Sequence, residues 1–145
     1  MTTQPPIIDS PTEWVADHIN RYIETNGEDG HMWQGVPCLL LTTTGRKSGS
    51  QRRCALIYGV DGNDYIVVAS RGGDANHPLW YKNMLDEPTV TLQVKADVFQ
   101  ATASTIAEGA DRDRLWNAMA AIWPDYNTYA EKTVRRIPLV RLTRI

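Results

Sequence analysis

The chain contains little cysteine and little histidine, with two cysteines and three histidines among its 145 residues. Cys38 and Cys54 lack CxxC spacing and fall in predicted strands. In a reducing compartment we therefore expect two small buried side chains instead of a disulfide or a metal pair. The histidines are scattered, with no HExxH sequence and no carboxylate at ligand spacing. We expect no bound metal and no zinc-dependent hydrolysis.

Several motifs of nucleotide-binding proteins and hydrolases are also missing. Neither GxGxxG nor GxxxxGKS/T occurs, which removes the usual dinucleotide and P-loop routes to phosphate binding. No GxSxG sequence offers a serine nucleophile. The formal net charge is -2, whereas nucleic-acid binders carry a general excess of positive charge. We therefore expect a small-molecule partner and no nucleic acid.

Long hydrophobic runs are absent as well. No stretch reaches the length of a membrane span, and the first residues do not form a charged leader followed by an apolar segment. We predict a cytoplasmic protein. A length of 145 residues with 42% hydrophobic content suits one globular domain with a core of moderate size.

Local patterns predict an opening helix followed by short strands. Residues 10–13, Ser-Pro-Thr-Glu, have the form of a capping box and start an amphipathic helix that ends near Gly27. Its polar face is not strongly cationic, which argues against attachment to a membrane. Strands are predicted over residues 36–44, 54–60, 65–70, 89–94, 98–106 and 137–142, and helices over residues 78–86 and 108–123.

The connections between these strands indicate the fold class. Residues 61–64 and 95–97 have hairpin composition, so the first three strands are predicted to form a meander and the next two a hairpin. Pro124 interrupts the helix predicted over residues 108–123. The segment 125–133 that follows is polar and contains tyrosines, and neither a helix nor a strand is predicted for it. No crossover helix separates each pair of strands. We therefore predict a mainly β, α+β fold in which an antiparallel sheet closes into a small barrel with helices outside.

The most informative segment is residues 39–53, LLLTTTGRKSGSQRR, where a β-type run opens into a turn. Four cations, Arg46, Lys47, Arg52 and Arg53, fall within eight residues of a chain that is weakly acidic overall. This clustering predicts an anion site that works through side-chain charge and turn amides. Arg53 alternates with Arg52 along the strand, so we expect it to be the more exposed and the less functional of the two.

Four segments in this order resemble the deazaflavin-dependent nitroreductase family, which uses coenzyme F420: residues 39–53, VVASRGG at 67–73, HPLWYKN at 77–83 and WPDYNTY at 123–129. The resemblance extends from about residue 36 to residue 140. It implies a split β-barrel similar to the pyridoxamine-phosphate-oxidase-like FMN-binding barrels. It also divides the chain into an N-terminal helix and linker, residues 1–35, and a deazaflavin-binding barrel, residues 36–145, within one globular domain.

The resemblance assigns the coenzyme site residue by residue. Cationic and turn residues match positions that hold the phosphate and the acidic tail of the coenzyme, and residues at two strand ends match positions around its ring. Two departures concern this ring region, because relatives carry lysine at Arg71 and often Asn-Pro at positions 54 and 55. The implied coenzyme-binding residues are Arg46, Lys47, Ser48, Gly49, Arg52, Cys54, Ala55, Ala69, Ser70, Arg71, Gly72, Trp80 and Asn83.

The fourth segment bears on the hydride acceptor. Trp123, Tyr126 and Tyr129 match family residues that cover the ring face where the acceptor binds, although relatives often have tyrosine at position 123. A tyrosine hydroxyl, protonated at neutral pH, can polarise the acceptor, and we assign this role to Tyr126. Ser70 is the second catalytic candidate. The implied activity is hydride transfer from reduced F420 to enones, coumarin-type lactones, quinones or nitro compounds.

Alternatives to this reading remain open from the sequence. The same class of barrel hosts FMN-dependent oxidoreductases, although the long acidic tail of F420 suits a turn with four cations better. A non-catalytic barrel that binds or carries a coenzyme would share the same motifs. Barrels of this kind often pair, so a homodimer is a further expectation.

Overall fold

The computed structural model of the protein describes residues 13–145, which form a curled antiparallel sheet with helices packed on it. The strands are β1 (Met32–Trp33), β2 (Val36–Thr44), β3 (Gln51–Ile57), β4 (Gly59–Asp61), β5 (Asp64–Val68), β6 (Thr89–Val94), β7 (Asp97–Thr105) and β8 (Leu139–Arg144). The α-helices are α1 (Glu13–Glu24), α2 (Leu79–Asp86), α3 (Ala110–Ile122) and α4 (Asp125–Lys132), and a 3₁₀ turn spans Arg71–Gly73.

The order of the strands shows how the barrel forms. Neighbouring strands run β3-β2-β6-β7-β8-β5-β4, every pair is antiparallel, and β1 adds a short hairpin to β2. The outermost strands of this order, β3 and β4, are consecutive in the chain and are separated by one residue, Tyr58. They are therefore two parts of one bent segment, and the sheet curls round on itself. The predicted antiparallel barrel with helices outside is confirmed.

The bend at Tyr58 corrects two sequence-based expectations. The strand predicted over residues 54–60 begins at Gln51 and is interrupted at Tyr58. The predicted three-stranded meander is a pair of hairpins, because β3 pairs with β2 whereas β4 pairs with β5. Close packing of a helix accounts for the interruption: a Cβ added to Gly59 would lie 2.6 Å from Met119 Sδ. Helix α3 thus rests on the backbone at the bend.

Smaller differences concern the ends of the elements. The segment 125–133 is mostly helical and forms α4. The last strand begins at Leu139, two residues later than predicted, after Pro138, which has no N–H to donate to a ladder. The third predicted strand ends at Val68. The predicted capping box at residues 10–13 lies outside the described residues except for its last position.

Two layers of apolar side chains stabilise β5 and β8 from both faces. Val67 and Val140 point into the barrel, whereas their neighbours Ile66, Val68 and Leu139 point outward, as the two-residue period of a strand requires. Leu115 and Met119 of α3 and Tyr126 of α4 cover the outward set. Ile137, in the segment before β8, packs in the same cluster. Because both faces are buried there, the end of β5 and the start of β8 are apolar without alternation, and α3 and α4 have a fixed place on the sheet.

Helix α1 packs on the outer face of β2. Ile19 and Tyr22 are fully buried against Leu40. The Tyr22 hydroxyl accepts a hydrogen bond from Lys95 N–H at 2.7 Å and donates one to Cys38 O at 3.0 Å. The apolar face of the helix is thus used within the fold. In the described part of the chain, no helix combines the length and hydrophobicity of a membrane-spanning segment.

Candidate functional site

A cavity of ≈ 230 Å³ lies where α1, β3, the end of β5 and α4 meet. Six predicted site residues line it: Ala55, Ser70, Gly72, Trp123, Tyr126 and Tyr129. Seven further residues, which the sequence did not assign to a site, complete the lining: Val15, His18, Trp33, Cys38, Leu56, Ile57 and Val68. The fold therefore brings parts of the second and fourth sequence segments together with the middle of β3.

Tyr126 reaches this cavity from the first turn of α4. Pro124 separates α4 from α3 and suits the start of a helix, because its missing N–H would be unpaired there. The Tyr126 ring is only 5% exposed and lies between Trp116 and Tyr129, with ring centroids 6.4 and 6.1 Å away. Its hydroxyl makes no hydrogen bond to any of residues 13–145. Burial raises the pKa of the Tyr126 phenol, so the hydroxyl stays protonated at neutral pH.

Three further aromatic side chains line the same cavity. The Trp123 indole N–H donates to the Tyr129 hydroxyl at 3.4 Å. The rings of Trp33 and Trp123 lie with centroids 5.5 Å apart and planes tilted by 38°. Trp33 comes from the short strand β1, which lies outside the four sequence segments, and an isolated tryptophan between turn residues gave no signal of its role. Together these rings form a wall suited to a flat, conjugated ligand.

The end of β5 supplies the polar and glycine-rich part of the lining. Ser70 is 9% exposed, and its hydroxyl makes no hydrogen bond within the described residues. Arg71 and Gly72 both adopt left-handed backbone angles, with φ of 46° and 62°. Gly73 serves packing instead: a Cβ placed there would lie 2.8 Å from Tyr129 O. The second glycine therefore lets α4 approach the turn, and Gly72 borders the cavity.

The turn between β2 and β3 is closed by its own backbone. Gly45 N–H donates to Ser50 O at 2.7 Å, and Gly49 N–H donates to Gly45 O at 2.8 Å. Ser50 N–H donates to the Ser48 hydroxyl at 3.2 Å. Helix α2 braces this turn, because the Asn83 side-chain oxygen accepts from Arg46 N–H at 3.3 Å. The turn is thus held in shape without the help of its charged side chains.

The cations of this turn are open to solvent. Arg46, Lys47 and Arg52 are exposed, and within residues 13–145 their side chains form no hydrogen bond or ion pair. The expectation for Arg53 was wrong: it is partly buried, whereas Arg52 is exposed. Arg53 shares a strand face with Ala55, which packs beside α1, and this helix covers the face. These three cations give the hairpin a positively charged, solvent-exposed surface, and anion binding there stays a prediction.

Strand β3 connects this turn to the cavity. The strand starts at Gln51, directly after the turn, and Ala55 of the cavity lining is four residues further along. At about 3.3 Å per residue the two positions are roughly 13 Å apart. A ligand with a flat ring and a long anionic tail could therefore occupy the cavity and the turn at once.

Other predicted site residues lie outside the cavity lining. Cys54 and Trp80 are partly buried against the interior of the barrel, and Ala69 is fully buried there. Burial raises the pKa of the Cys54 thiol to about 12, so it is a neutral packing group. Asn83 is 5% exposed and donates to Thr43 Oγ1 at 3.3 Å. Contact of these four residues with a coenzyme stays a prediction.

Two polar residues near the cavity escaped the sequence analysis. His18 lines the cavity from α1, and its Nε2 lies 2.7 Å from Gly30 O, to which it donates. Arg135, in the segment before β8, binds four acceptors in the loop that follows β5. Its partners include backbone carbonyls, and no side-chain motif marks such a contact in a sequence.

Comparisons with known proteins agree with this geometry. A family model described as F420H(2)-dependent quinone reductase matches residues 14–144. An F420H(2)-dependent quinone reductase of Mycobacterium tuberculosis is 40% identical over 126 residues, covering 85% of this chain and 85% of that protein. The family match starts at residue 14, near the beginning of α1, so it extends beyond the residues 36–140 on which the sequence resemblance rests.

Solved structures support the same assignment. An F420-H2 dependent reductase is 39% identical with a TM-score of 0.67, covering 73% of this chain and 93% of that chain. A structure described as a domain-swapped dimer is 38% identical with a TM-score of 0.70, covering 92% and 99%.

A member of the pyridoxinephosphate oxidase family from Clostridium acetobutylicum, 12% identical with a TM-score of 0.52, shares the fold alone and confirms the predicted barrel class. It covers 74% of this chain and 74% of that chain. The family match and the M. tuberculosis relative, in contrast, extend to the activity and its cofactor. The chain therefore belongs to the family of F420H(2)-dependent quinone reductases and is an oxidoreductase that uses the reduced form of coenzyme F420.

Proposed function

We propose that this enzyme reduces flat, electron-poor acceptors in the cavity described above, with quinones as the first class to test. The observation that carries the proposal is the Tyr126 hydroxyl, which lies in an aromatic cavity without a hydrogen-bond partner among residues 13–145. Since this hydroxyl donor is unused within the described residues and opens on the cavity, its natural complement is an acceptor oxygen of a bound ligand.

The residues present fit the coenzyme. Arg46, Lys47 and Arg52 would hold its phosphate and acidic tail, and Ser48 and Gly49 would keep the turn in the shape that presents these cations. Ser70 and Gly72, at the other end of the bound molecule, would contact its ring from the cavity. F420H2, when bound, supplies the hydride. The unpaired cations and the unbonded Ser70 hydroxyl are the features that support this fit.

Tyr126 would act on the acceptor side. Converting a quinone to a hydroquinone consumes a hydride and a proton, and negative charge develops on the acceptor oxygen in between. The raised pKa keeps the Tyr126 hydroxyl protonated, so it can donate a hydrogen bond to that oxygen and steer the proton. Trp123 and Tyr129 would shape the space for a conjugated ring.

Enones, coumarin-type lactones and nitro compounds are the remaining proposed acceptors. Each combines a flat conjugated system with an oxygen that gains charge on reduction, so each would use the same wall of aromatic rings and the same hydroxyl. A panel of these compounds against menadione would rank them. If only quinones were reduced, the proposed acceptors would be limited to that class, and the proposed site would stay the same.

Coenzyme binding is tested by titrating the protein with F420 and following the fluorescence of the coenzyme. We expect Lys47→Ala to weaken binding about ten- to a hundredfold, the equivalent of losing one charge-assisted bond of roughly 1.5–3 kcal/mol. The control is Lys95→Asn, which removes a positive charge from another exposed turn whose φ of 57° asparagine tolerates. Equal affinities in the two variants would contradict the tail-binding role of the turn.

The reduction step is tested by adding menadione to the protein loaded with reduced F420. We expect Tyr126→Phe to bind the coenzyme almost normally and to lower kcat about a hundredfold, a typical loss for one donor at a developing oxyanion. The control is Tyr81→Phe, which removes a hydroxyl that bonds Thr105 outside the cavity. A parent rate in Tyr126→Phe would exclude the proton-directing role, and binding without oxidation in the parent would favour a carrier.

Two further properties stay proposals. The relative described as a domain-swapped dimer supports a homodimer for this chain as well, which light scattering of the purified protein would test. A cytoplasmic location stays a prediction from the sequence.

A further inference from the structure

The guanidinium group of Arg135 is directed at the loop that follows β5. Arg135 lies between α4 and β8, and within the described residues every acceptor of its side chain belongs to residues 69–77. Nη2 donates to Ser70 O at 2.6 Å, Nε donates to Asp74 O at 2.7 Å, and Nη1 donates to His77 Nδ1 at 3.0 Å and to Ala69 O at 3.2 Å.

This contact begins where the sheet ends. The last register pair between β5 and β8 is Val68 with Leu139, and one further backbone bond joins Ala69 N–H to Pro138 O at 2.9 Å. Beyond that point the two chain segments separate, and the Arg135 side chain takes over the contact that the ladder no longer makes. A planar guanidinium has five N–H donors and serves these four acceptors at once, whereas a lysine ammonium has only three.

The loop held in this way carries the polar part of the cavity lining. Ser70 and Gly72 line the cavity, and the Ser70 hydroxyl has no partner of its own among the described residues. Its direction is therefore set by the backbone of the loop. That backbone is irregular, with left-handed φ angles at the three successive residues of Arg71–Gly73, and its own bonds are those of a single 3₁₀ turn, from Gly73 N–H to Ser70 O and from Asp74 N–H to Arg71 O.

We propose that Arg135 is a positioning residue for the reductase reaction. It fixes the loop after β5 so that the Ser70 hydroxyl and the Gly72 backbone face the cavity. The inference rests on the proposed function of that cavity and names a residue that acts on the reaction through Ser70. Arg135 itself does not line this cavity. Its effect on turnover therefore depends on Ser70, whereas an arginine that only stabilised the fold would act independently of the Ser70 hydroxyl.

The test compares Arg135→Gln and Arg135→Lys with Arg136→Gln. Arg136 is the adjacent arginine, is exposed, and donates to Glu108 Oε1 at 2.6 Å, so its replacement removes the same charge without touching the loop. The first readout is hydrogen exchange of the free protein. We expect the Gly73 and Asp74 amides, which are bonded within the turn, to exchange faster in the Arg135 variants and not in Arg136→Gln.

The second readout is a double-mutant cycle with Ser70→Ala. We expect Arg135→Gln to lower kcat for menadione about tenfold, because a small misplacement of a site group has effects of this order, while F420 affinity, set mainly by the distant turn, changes little. In the Ser70→Ala background the same substitution should lower kcat less, since contacts that act through one another are not additive. If Arg135→Gln does not fold, Arg135→Lys carries both readouts.

The outcomes separate this inference from the proposed function. Unchanged amide exchange in the loop, or kcat losses that are additive with Ser70→Ala, would overturn the positioning role while leaving the reductase intact. A parent protein that binds F420 but reduces no acceptor would overturn the proposed function, and with it the catalytic part of the inference. Faster exchange together with a non-additive cycle supports the role of Arg135.

Discussion

Replacing Gly73 by alanine gives the sharpest test of how the site is assembled. Gly73 has a φ of 83°, and an added Cβ would lie 2.8 Å from Tyr129 O, 3.0 Å from Tyr129 Cα and 3.1 Å from Lys132 Cβ. Two of these atoms belong to the backbone of α4 and cannot rotate away. The substitution must therefore push α4 outward, and with it Tyr126 and Tyr129 of the cavity.

The magnitude has two parts. A non-glycine residue in the left-handed region costs about 1–2 kcal/mol, and forcing a methyl group into a packed contact costs about 1–3 kcal/mol. We expect Gly73→Ala to lose about 2–5 kcal/mol of unfolding free energy in total, a large share of the roughly 5–15 kcal/mol that stabilises a typical domain. Urea unfolding followed by tryptophan fluorescence measures this loss directly.

Gly62→Ala is the matched control. Gly62 lies at the tip of the β4–β5 hairpin with a φ of 62°, and an added Cβ there meets no atom within 4 Å. It should lose only the backbone part, about 1–2 kcal/mol, and keep its menadione reductase rate. Gly73→Ala should lose more stability and also reduce menadione more slowly. Equal stability losses in the two variants would refute the close approach of α4 to the turn.

Two further predictions concern stability. Burial, together with Arg135 and Lys82, lowers the pKa of His77, so its contribution to stability is complete above about pH 6.5 and is lost as the pH falls below that value. Urea unfolding at about pH 7.5 and about pH 5.5 should show a smaller fall in unfolding free energy for His77→Gln than for the parent, because the glutamine oxygen still accepts from Arg135 and does not titrate. The fall that remains in this variant is expected from His31, whose pKa is also lowered by burial. Tyr22→Phe leaves the Lys95 N–H without its partner and should lower the unfolding free energy by about 1–3 kcal/mol, whereas an unchanged urea midpoint would contradict the role of this hydroxyl.

The parts of the site that could be read from the sequence are those that lie within contiguous motifs. Ser70 and Tyr126 each fall in a short segment that resembles the family, and both line the cavity. Trp33 and His18 reach the same cavity from β1 and α1, and no local pattern connects them to it. Arg135 was missed for a different reason: three of its four partners are carbonyl oxygens, which every residue carries.

The fold shows the same division between local and long-range causes. Hairpin composition and alternating apolar residues predicted the antiparallel barrel, because those signals are local. The interruption at Tyr58 could not be predicted in this way, since the strand composition continues through it. It depends on α3, which packs on Gly59 from sixty residues further along the chain through Met119. The one local trace of this bend is Gly59 itself, since a glycine inside a strand pattern can mark a bend or a close backbone approach.

Helix α1 joins the core and the cavity in one element. Its buried residues Ile19 and Tyr22 cover Leu40, while Val15 and His18, one turn earlier and on the same side, line the cavity. A change that displaced the helix would therefore expose the outer face of β2 and open the site together. The family match likewise includes this helix, since it begins at residue 14. The helix that the sequence placed outside the coenzyme domain is one wall of the candidate site.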